Sequence, residues 1–354
     1  MQPQKKYKRI VVKIGASLFY TEQGKLDANL ISDLVSQIST FIKEDREIVV
    51  VSSGAIALGM SILKLENRPR ELSFLQAVAA IGQHELMSVY HEALKEESLN
   101  CGQLLLTWDD FSNRARYLNV KNTINILLKL KTVPIINEND TVSTEEIKFG
   151  DNDRLSALVS ILIGADILIM LSDVDGLMDA DKKVIKVVDK ITPLIKSLAS
   201  PTSKKVCVGG MITKIEAARI SVDSGIPCVI ANGKKRDIIK SVLSDSLNSG
   251  TMFLAKGDLL DAKKRWMAFG TKTRGMIIVD DGAQKALVNK KSLLAVGIIS
   301  CAGNFASGDI VSIRDNQNIE FARGKSAISA KELDKAKGSR FAKEIIHRDN
   351  IVIL

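Results

Sequence analysis

The sequence predicts an α/β protein built on a mostly parallel sheet with helices on both faces, followed by a smaller basic module. Three observations carry this. The runs KRIVVKI from Lys8, EIVVV from Glu47 and ADILIML from Ala165 are nearly continuous in Val, Ile and Leu. A strand buried on both faces reads this way, whereas a half-exposed strand alternates apolar and polar residues. These runs alternate with segments of helical periodicity through about residue 255, the pattern of βαβ units in a sheet covered on both sides. From Asp261 onward the chain carries 17 Lys and Arg against 10 Asp and Glu, so most of the formal net charge of +9 resides in the last quarter. That asymmetry marks a separate module.

The elements follow in order. Lys8–Ile14 reads as a buried strand broken by Gly15-Ala16-Ser17, which leaves Lys13 near its carboxyl end beside a small-residue turn. Leu26–Ile42 has helical periodicity, and Glu47–Val51 is a second buried strand running into Ser52-Ser53-Gly54-Ala55. A strand, then small residues, then a helix presents free N–H groups to a carboxylate or phosphate. No G-K-[ST] follows, so this is not a Walker A loop. Glu71–Lys95 is a long amphipathic helix, Gln103–Thr107 a strand and Tyr117–Leu130 a helix.

The stretch PIINENDTVSTEEIKFGDNDR, from Pro134 to Arg154, is the centre of the functional reading. A buried strand, Val133–Ile136, releases Asn137, Glu138, Asn139 and Asp140 at its carboxyl end. A polar loop then delivers Asp151, Asn152 and Asp153 to the start of an apolar helix, Leu155–Ile163. Ligands of open α/β sheets bind in the crevice beyond the carboxyl ends of the strands, so these amides and carboxylates are placed to read a small polar molecule. The strand Ala165–Leu171 ends in Ser172-Asp173-Val174-Asp175-Gly176, where D-x-D-G lacks the rest of a calcium loop and reads as a turn into a short hairpin. The glycines of Val208-Gly209-Gly210-Met211-Ile212-Thr213-Lys214 open the helix Ile215–Ser224, a cradle for phosphate with Lys214 in its first turn. Strand Ile226–Ile230 follows, and Gly250-Thr251-Met252-Phe253 closes the region.

Composition excludes several classes. A chain of 354 residues with 45% hydrophobic and 26% charged residues has room for two or three well-filled domains. No apolar run approaches the roughly 18 residues that cross a bilayer. The basic N-terminus passes directly into a strand pattern without a secretory apolar region, which predicts a cytoplasmic location. Cys101, Cys207, Cys228 and Cys301 lie far apart with no C-x-x-C pair, and so read as reduced thiols rather than a disulfide frame or zinc site.

KIGAS at Lys13, VSSGAIALG at Val51, INENDTV at Ile136, FGDNDRLSA at Phe149, LSDVDGL at Leu171 and VGGMITK at Val208 occur in this order. Together they resemble the amino-acid kinase family, specifically its glutamate-phosphorylating branch in proline biosynthesis. The tail, from RGMIIVDDG at Arg274 to EIIHRDNIVIL at Glu344, resembles the small, mainly-β PUA domain. The resemblance implies an amino-acid kinase fold, an αβα sandwich, over 1–258, a linker over 259–270 and a PUA-like domain over 271–354. It implies ATP and Mg²⁺ as cofactors, L-glutamate as acceptor, L-proline as feedback inhibitor, and a homo-oligomer. Lys13 and Lys214 would face the transferring phosphoryl group and Asp153 would organise the lysines or a magnesium ion. Ser53, Asp140 and Asn152 would hold glutamate, with Gly54, Asn137 and Asp151 close by. Ser172, Asp173 and the loop Val208, Gly209, Gly210, Met211, Ile212, Thr213 and Lys214 would contact the nucleotide.

The sequence departs from the family in three places. Ser172 replaces the usual Thr and keeps its hydroxyl, Val208 replaces a Thr, and Ala306-Ser307-Gly308-Asp309 lacks the usual Arg of an Arg-Gly-Asp. The implied chemistry is consistent on its own terms. A γ-carboxylate with an unperturbed pKa near 4.3 is already a nucleophile at neutral pH and requires no general base. Phosphoryl transfer then needs two anions brought together and their charge neutralised, which lysines and Mg²⁺ accomplish. A sibling kinase acting on N-acetylglutamate or aspartate is the nearest alternative reading. An RNA-binding protein acting through the basic tail is the third.

Overall fold

The computed structural model describes residues 7–21, 26–143, 152–199, 210–245, 247–255, 262–271, 273–339 and 343–354. Of the residues that the sequence singles out, Asp151, Cys207, Val208 and Gly209 lie outside the described residues. The chain divides into two compact units, one comprising Met1–Asp110 and Arg114–Leu259, the other Phe111–Asn113 and Leu260–Leu354.

The first unit is organised by a sheet with strands β1 (Arg9–Ile14), β2 (Glu47–Ser52), β3 (Asn100–Leu106), β4 (Thr132–Glu138), β5 (Ile167–Ser172), β6 (Val187–Val188), β7 (Cys228–Asn232) and β8 (Thr251–Phe253). Their spatial order is β3-β4-β2-β1-β5-β7-β8-β6, and every neighbouring pair is parallel except β7 with β8. The helices of this unit are α1 (Ala28–Lys43), α2 (Ala55–Ile62), α3 (Leu72–Glu96), α5 (Arg114–Lys129), α6 (Asn152–Ile163), α7 (Pro193–Ser197), α8 (Met211–Asp223) and α9 (Ile238–Ser244), while the residues of α4 (Trp108–Ser112) are divided between the two units after Asp110. The central strands β1 and β5 are almost wholly buried, as their unbroken apolar runs predict. Their side chains join those of α1, including Ile31, Leu34, Val35 and Ile38, in one core.

The parallel register sets the carboxyl ends of β2, β1 and β5 side by side. Lys13 lies opposite Val51 on one side and Met170 on the other, and Ile14 lies opposite Ser52 and Leu171. The amino-acid runs beyond these strands therefore converge on one edge of the sheet, where the strand order reverses in sequence.

Strand and helix boundaries differ from the sequence reading where tertiary pairing extends them. The strand predicted to stop at Ile136 continues through Glu138, because Asn137 and Glu138 pair with Leu105 and Leu106 of β3. Asn137 is consequently a buried strand residue rather than a loop residue. The last strand, β8, pairs antiparallel with β7, and Met178 bridges Val184 in the hairpin predicted after Asp175.

Two glycines shape the approach to this edge. Gly54 caps α2 with φ 119°, a left-handed conformation that side chains with a Cβ resist, and so turns the chain out of β2. Gly82 lies where α3 crosses α2; an added Cβ there would collide with the Ala55 carbonyl and the Gly59 amide.

The second unit holds α10 (Ala262–Arg265), α11 (Asp281–Val288), α12 (Ala330–Ala336) and strands β9 (Gly275–Val279), β10 (Ile298–Gly303), β11 (Ile310–Arg314), β12 (Glu320–Lys325) and β13 (Ile351–Ile353). The strands form one sheet in the order β10-β9-β11-β12-β13. Ile277, Val279, Val311, Ile313, Phe305 and Leu333 are among the residues of its core. Met267 and Ala268 pack with Ile310 and Val352 in a smaller cluster.

Candidate active site

Lys13, the fifth residue of β1, is only 4% exposed. A buried ammonium needs a counter-charge, and Asp153 supplies it. Asp153 is the second residue of α6, is 1% exposed, and places Oδ1 2.5 Å from the Lys13 Nζ. Its other oxygen, Oδ2, lies 3.2 Å from the Nζ of Lys214 and accepts a 2.7 Å hydrogen bond from the Thr213 hydroxyl. Lys214 and Thr213 both belong to the first turn of α8. One buried carboxylate thus holds two lysines that are 201 positions apart in sequence (Lys13 and Lys214).

The electrostatics follow from this packing. Burial alone would push the Asp153 pKa up. The two ammonium groups and the Thr213 hydroxyl outweigh burial and hold the carboxyl well below its ordinary range. The cluster therefore carries a net positive charge of one, delivered by two donors that face the same edge of the sheet.

Beside it stands a network of amides. The Asn152 Nδ2 donates to the Asn137 Oδ1 at 2.9 Å, to the Ser53 Oγ at 3.0 Å and to the Ser52 carbonyl at 3.3 Å. The Asn137 Oδ1 also accepts from the Glu138 N–H at 2.8 Å, while its Nδ2 donates to the Gln83 Oε1 at 2.7 Å. The ends of β2 and β4 and the start of α6 are joined through these side chains. Because Asn152 and Asp153 are consecutive, the amide network and the lysine cluster are covalently adjacent.

A third group lies at the end of β5. Ser172 is buried and its hydroxyl donates to the Asp173 Oδ1 at 3.2 Å, which also accepts from the Ser17 hydroxyl at 3.1 Å. Nearby at the end of β7, Asn232 donates to Asp175 at 3.0 Å, and Lys235 pairs with the same carboxylate at 2.9 Å. Those two hydrogen bonds hold the Asp175 carboxyl below its usual range.

The predicted residues are thus distributed as follows. Lys13, Asp153, Thr213 and Lys214 form one cluster, and Ser53, Asn137 and Asn152 form a second. Gly54 follows Ser53 as the cap of α2, and Asp140 lies half-buried in the turn after β4. Ser172 and Asp173 form the third group. Gly210 caps α8 and donates its N–H to the Thr213 Oγ1 at 3.2 Å, followed by half-buried Met211 and exposed Ile212. Sequence reasoning gave Gln83, Asn232 and Lys235 no place in the site and read Asp175 only as part of a turn. Gln83 occurs in a long amphipathic helix, where a polar residue carries no local signal.

Residues 8–232 match the amino acid kinase family and residues 275–348 match the PUA domain. The chain is similar to the glutamate 5-kinase of Caldanaerobacter subterraneus subsp. tengcongensis, at 43% identity over 364 residues covering 98% of each chain. It is also similar to the glutamate 5-kinases of Dehalococcoides mccartyi, at 42% identity with 98% and 99% covered, and of Pelagibacter ubique, at 41% with 98% of each covered. The chain belongs to the amino acid kinase family and carries a C-terminal PUA domain.

Proposed function

We propose that this protein transfers the γ-phosphoryl group of ATP to the γ-carboxylate of L-glutamate, giving L-glutamyl 5-phosphate and ADP, the first step of proline biosynthesis. The observation that carries the reading is the pair of buried lysines held by Asp153 directly beside the amide network of Asn152. Full-length similarity to glutamate 5-kinases supports glutamate over the acceptors of sibling kinases.

In this reading the γ-carboxylate attacks the terminal phosphorus, one P–O bond forms, and the bond to the ADP oxygen breaks. No proton moves, because the acceptor is ionised at neutral pH. Lys13 and Lys214 neutralise charge on the phosphoryl oxygens, and Asp153 positions both. Ser53, Gly54, Asn137, Asp140, Asp151 and Asn152 hold glutamate, with Asp140 accepting from the α-ammonium group. Ser172, Asp173 and the 208–214 loop hold the nucleotide.

Among the described residues no group of three or more His, Cys, Asp or Glu is arranged to hold a metal ion. In this reading Mg²⁺ would be carried on the nucleotide phosphates with at most one or two protein carboxylates, its usual mode. There it would screen charge between the phosphates. Asp153, with both oxygens engaged by ammonium and hydroxyl groups, serves the lysines in this scheme.

The kinase activity is assigned to 1–258 and a PUA-like unit to 271–354, with 259–270 as the segment joining them in sequence, of which Met267 and Ala268 pack on Ile310 and Val352 of the second unit. Competition between L-proline and glutamate, a homo-oligomer and a cytoplasmic location complete the reading; among the described residues no helix is long and apolar enough to cross a membrane. RNA is a secondary partner of the C-terminal unit, where Lys325, Lys343 and His347, with Glu344, line a cavity of about 560 Å³. Salt-dependent retention of the full chain on an RNA column, weakened by Lys325→Glu with Lys343→Glu, tests that part.

The central test is an assay with ATP, Mg²⁺ and hydroxylamine, which traps an acyl phosphate as a coloured hydroxamate. Glutamate-dependent colour, lost in Lys13→Ala and Lys214→Ala, is expected. Colour with aspartate or N-acetylglutamate but not glutamate would overturn the acceptor.

A further inference from the structure

The hydrogen bonds of the amide network determine which end of each amide is which. The Asn137 Oδ1 must be the acceptor, since the Glu138 backbone N–H donates to it. Its Nδ2 must therefore donate to Gln83, which makes the atom it meets the Gln83 Oε1. Likewise Asn152 faces three acceptors with its Nδ2.

This leaves two polar atoms turned the other way. The Gln83 Nε2 and the Asn152 Oδ1 are both shielded from solvent, and neither has a hydrogen-bond partner. Native interiors rarely leave such groups unpaired, because each orphan costs about 1–3 kcal/mol. The two are complementary, one a donor with two N–H bonds and the other an acceptor. They are the unmatched ends of one network that begins beside Asp153.

A carboxylate would satisfy the first and an ammonium group the second. We infer that Gln83 is a substrate-binding residue whose Nε2 donates to the α-carboxylate of glutamate, while the Asn152 Oδ1 accepts from the neighbouring α-ammonium group. The inference rests on the proposed function and extends it by naming the group that reads the unreactive end of the acceptor.

The assignment to the α-carboxylate follows from order along the network. The reacting γ-carboxylate belongs at Lys13 and Lys214. Asn152 adjoins Asp153, Asn137 lies one hydrogen bond further, and Gln83 lies one beyond that. Gln83 is thus the member of the chain Asp153–Asn152–Asn137–Gln83 furthest along it from the lysines. The close α2–α3 crossing at Gly82, the residue before it, brings α3 near enough for this contact.

Gln83→Glu separates a binding role from a structural one. The introduced carboxylate still accepts from the Asn137 Nδ2, so the network and fold are retained, but the donor is replaced by an anion that repels a carboxylate. The wild-type and variant proteins are assayed by hydroxamate formation with glutamate and with its α-carboxamide, which keeps the γ-carboxylate but has no α-carboxylate.

The wild type should prefer glutamate. In Gln83→Glu the glutamate KM should rise at least tenfold, as expected for a lost charge-assisted hydrogen bond of roughly 1.4 kcal/mol or more. The ATP KM should stay within about twofold, and the preference for glutamate over its α-carboxamide should fall by a similar factor to the glutamate KM rise. Gln83→Met, which removes both polar ends at similar volume, should show the same loss of preference.

A glutamate KM within twofold of wild type in Gln83→Glu would overturn the inference, as would an equal rise for both acceptors. Wild-type protein that forms no glutamate-dependent hydroxamate would overturn the proposed function and this inference with it.

Discussion

Asp153→Asn isolates the part played by one buried charge. The substitution keeps the shape of the side chain but removes the anion that lies 2.5 Å from Lys13 and 3.2 Å from Lys214. At these distances and an effective dielectric near 20, the gross attraction is about 5–7 kcal/mol for each lysine. Much of it is offset by the cost of burying three charges, so the net loss on breaking the cluster is about 3–5 kcal/mol. Two buried lysines would be left without their counter-charge. The melting temperature of the first unit should fall by about 6–20 °C. The rate of hydroxamate formation should fall at least about a hundredfold, the scale of losing preorganised charge at a phosphoryl group.

The pH dependence gives a second check. The folded Asp153 pKa lies below its ordinary value of 3.8. Such a group contributes stability that is complete above the unfolded pKa and is lost as pH falls through the folded one. The difference in stability between wild type and Asp153→Asn should therefore be constant from about pH 5 to 8 and shrink below about pH 4. A variant that melts within about a degree of wild type across pH 5–8 would refute the argument, because the buried lysines would then need no counter-charge.

Other changes test neighbouring parts of the site. Asn152→Ala strips the donor shared by Asn137, Ser53 and Ser52, and the glutamate KM should rise more than about tenfold; a change under twofold would remove it from the acceptor site. Asp140→Ala should raise the glutamate KM strongly with little effect on that of ATP, and unchanged glutamate saturation would exclude its pairing with the α-ammonium group. Gly82→Ala drives a methyl group into the Ala55 carbonyl. It should destabilise the protein by about 1–3 kcal/mol or more in a denaturant titration, and a neutral result would show that α2 and α3 can separate without cost.

Much of this fold is legible along the chain because burial on both faces leaves a continuous signal. The strands β1, β2 and β5 are runs of apolar residues, and β-branched Val and Ile suit a pleated surface packed on either side. Lys13, Asn152, Asp153 and Lys214 stand out because charged or amide groups interrupt apolar elements at their ends. Chain order and local pattern are sufficient for that much.

Pairing across long separations is not carried by local pattern. Asn137 reads as the first residue of a loop, yet it is buried in β4 because β3 pairs with it. The ion pairs of Asp153 with Lys13 and Lys214 span 140 and 61 positions, and depend on β1, α6 and α8 meeting at one edge of the sheet. Gln83 is the clearest case. In sequence it is one polar residue of a 25-residue helix, and nothing nearby distinguishes it from Gln76. The close helix crossing at Gly82 and the fixed orientation of the Asn137 amide turn it toward the site. Hydrogen-bond direction is a property of the assembled network, so a buried donor without an acceptor becomes visible only when its neighbours are in place.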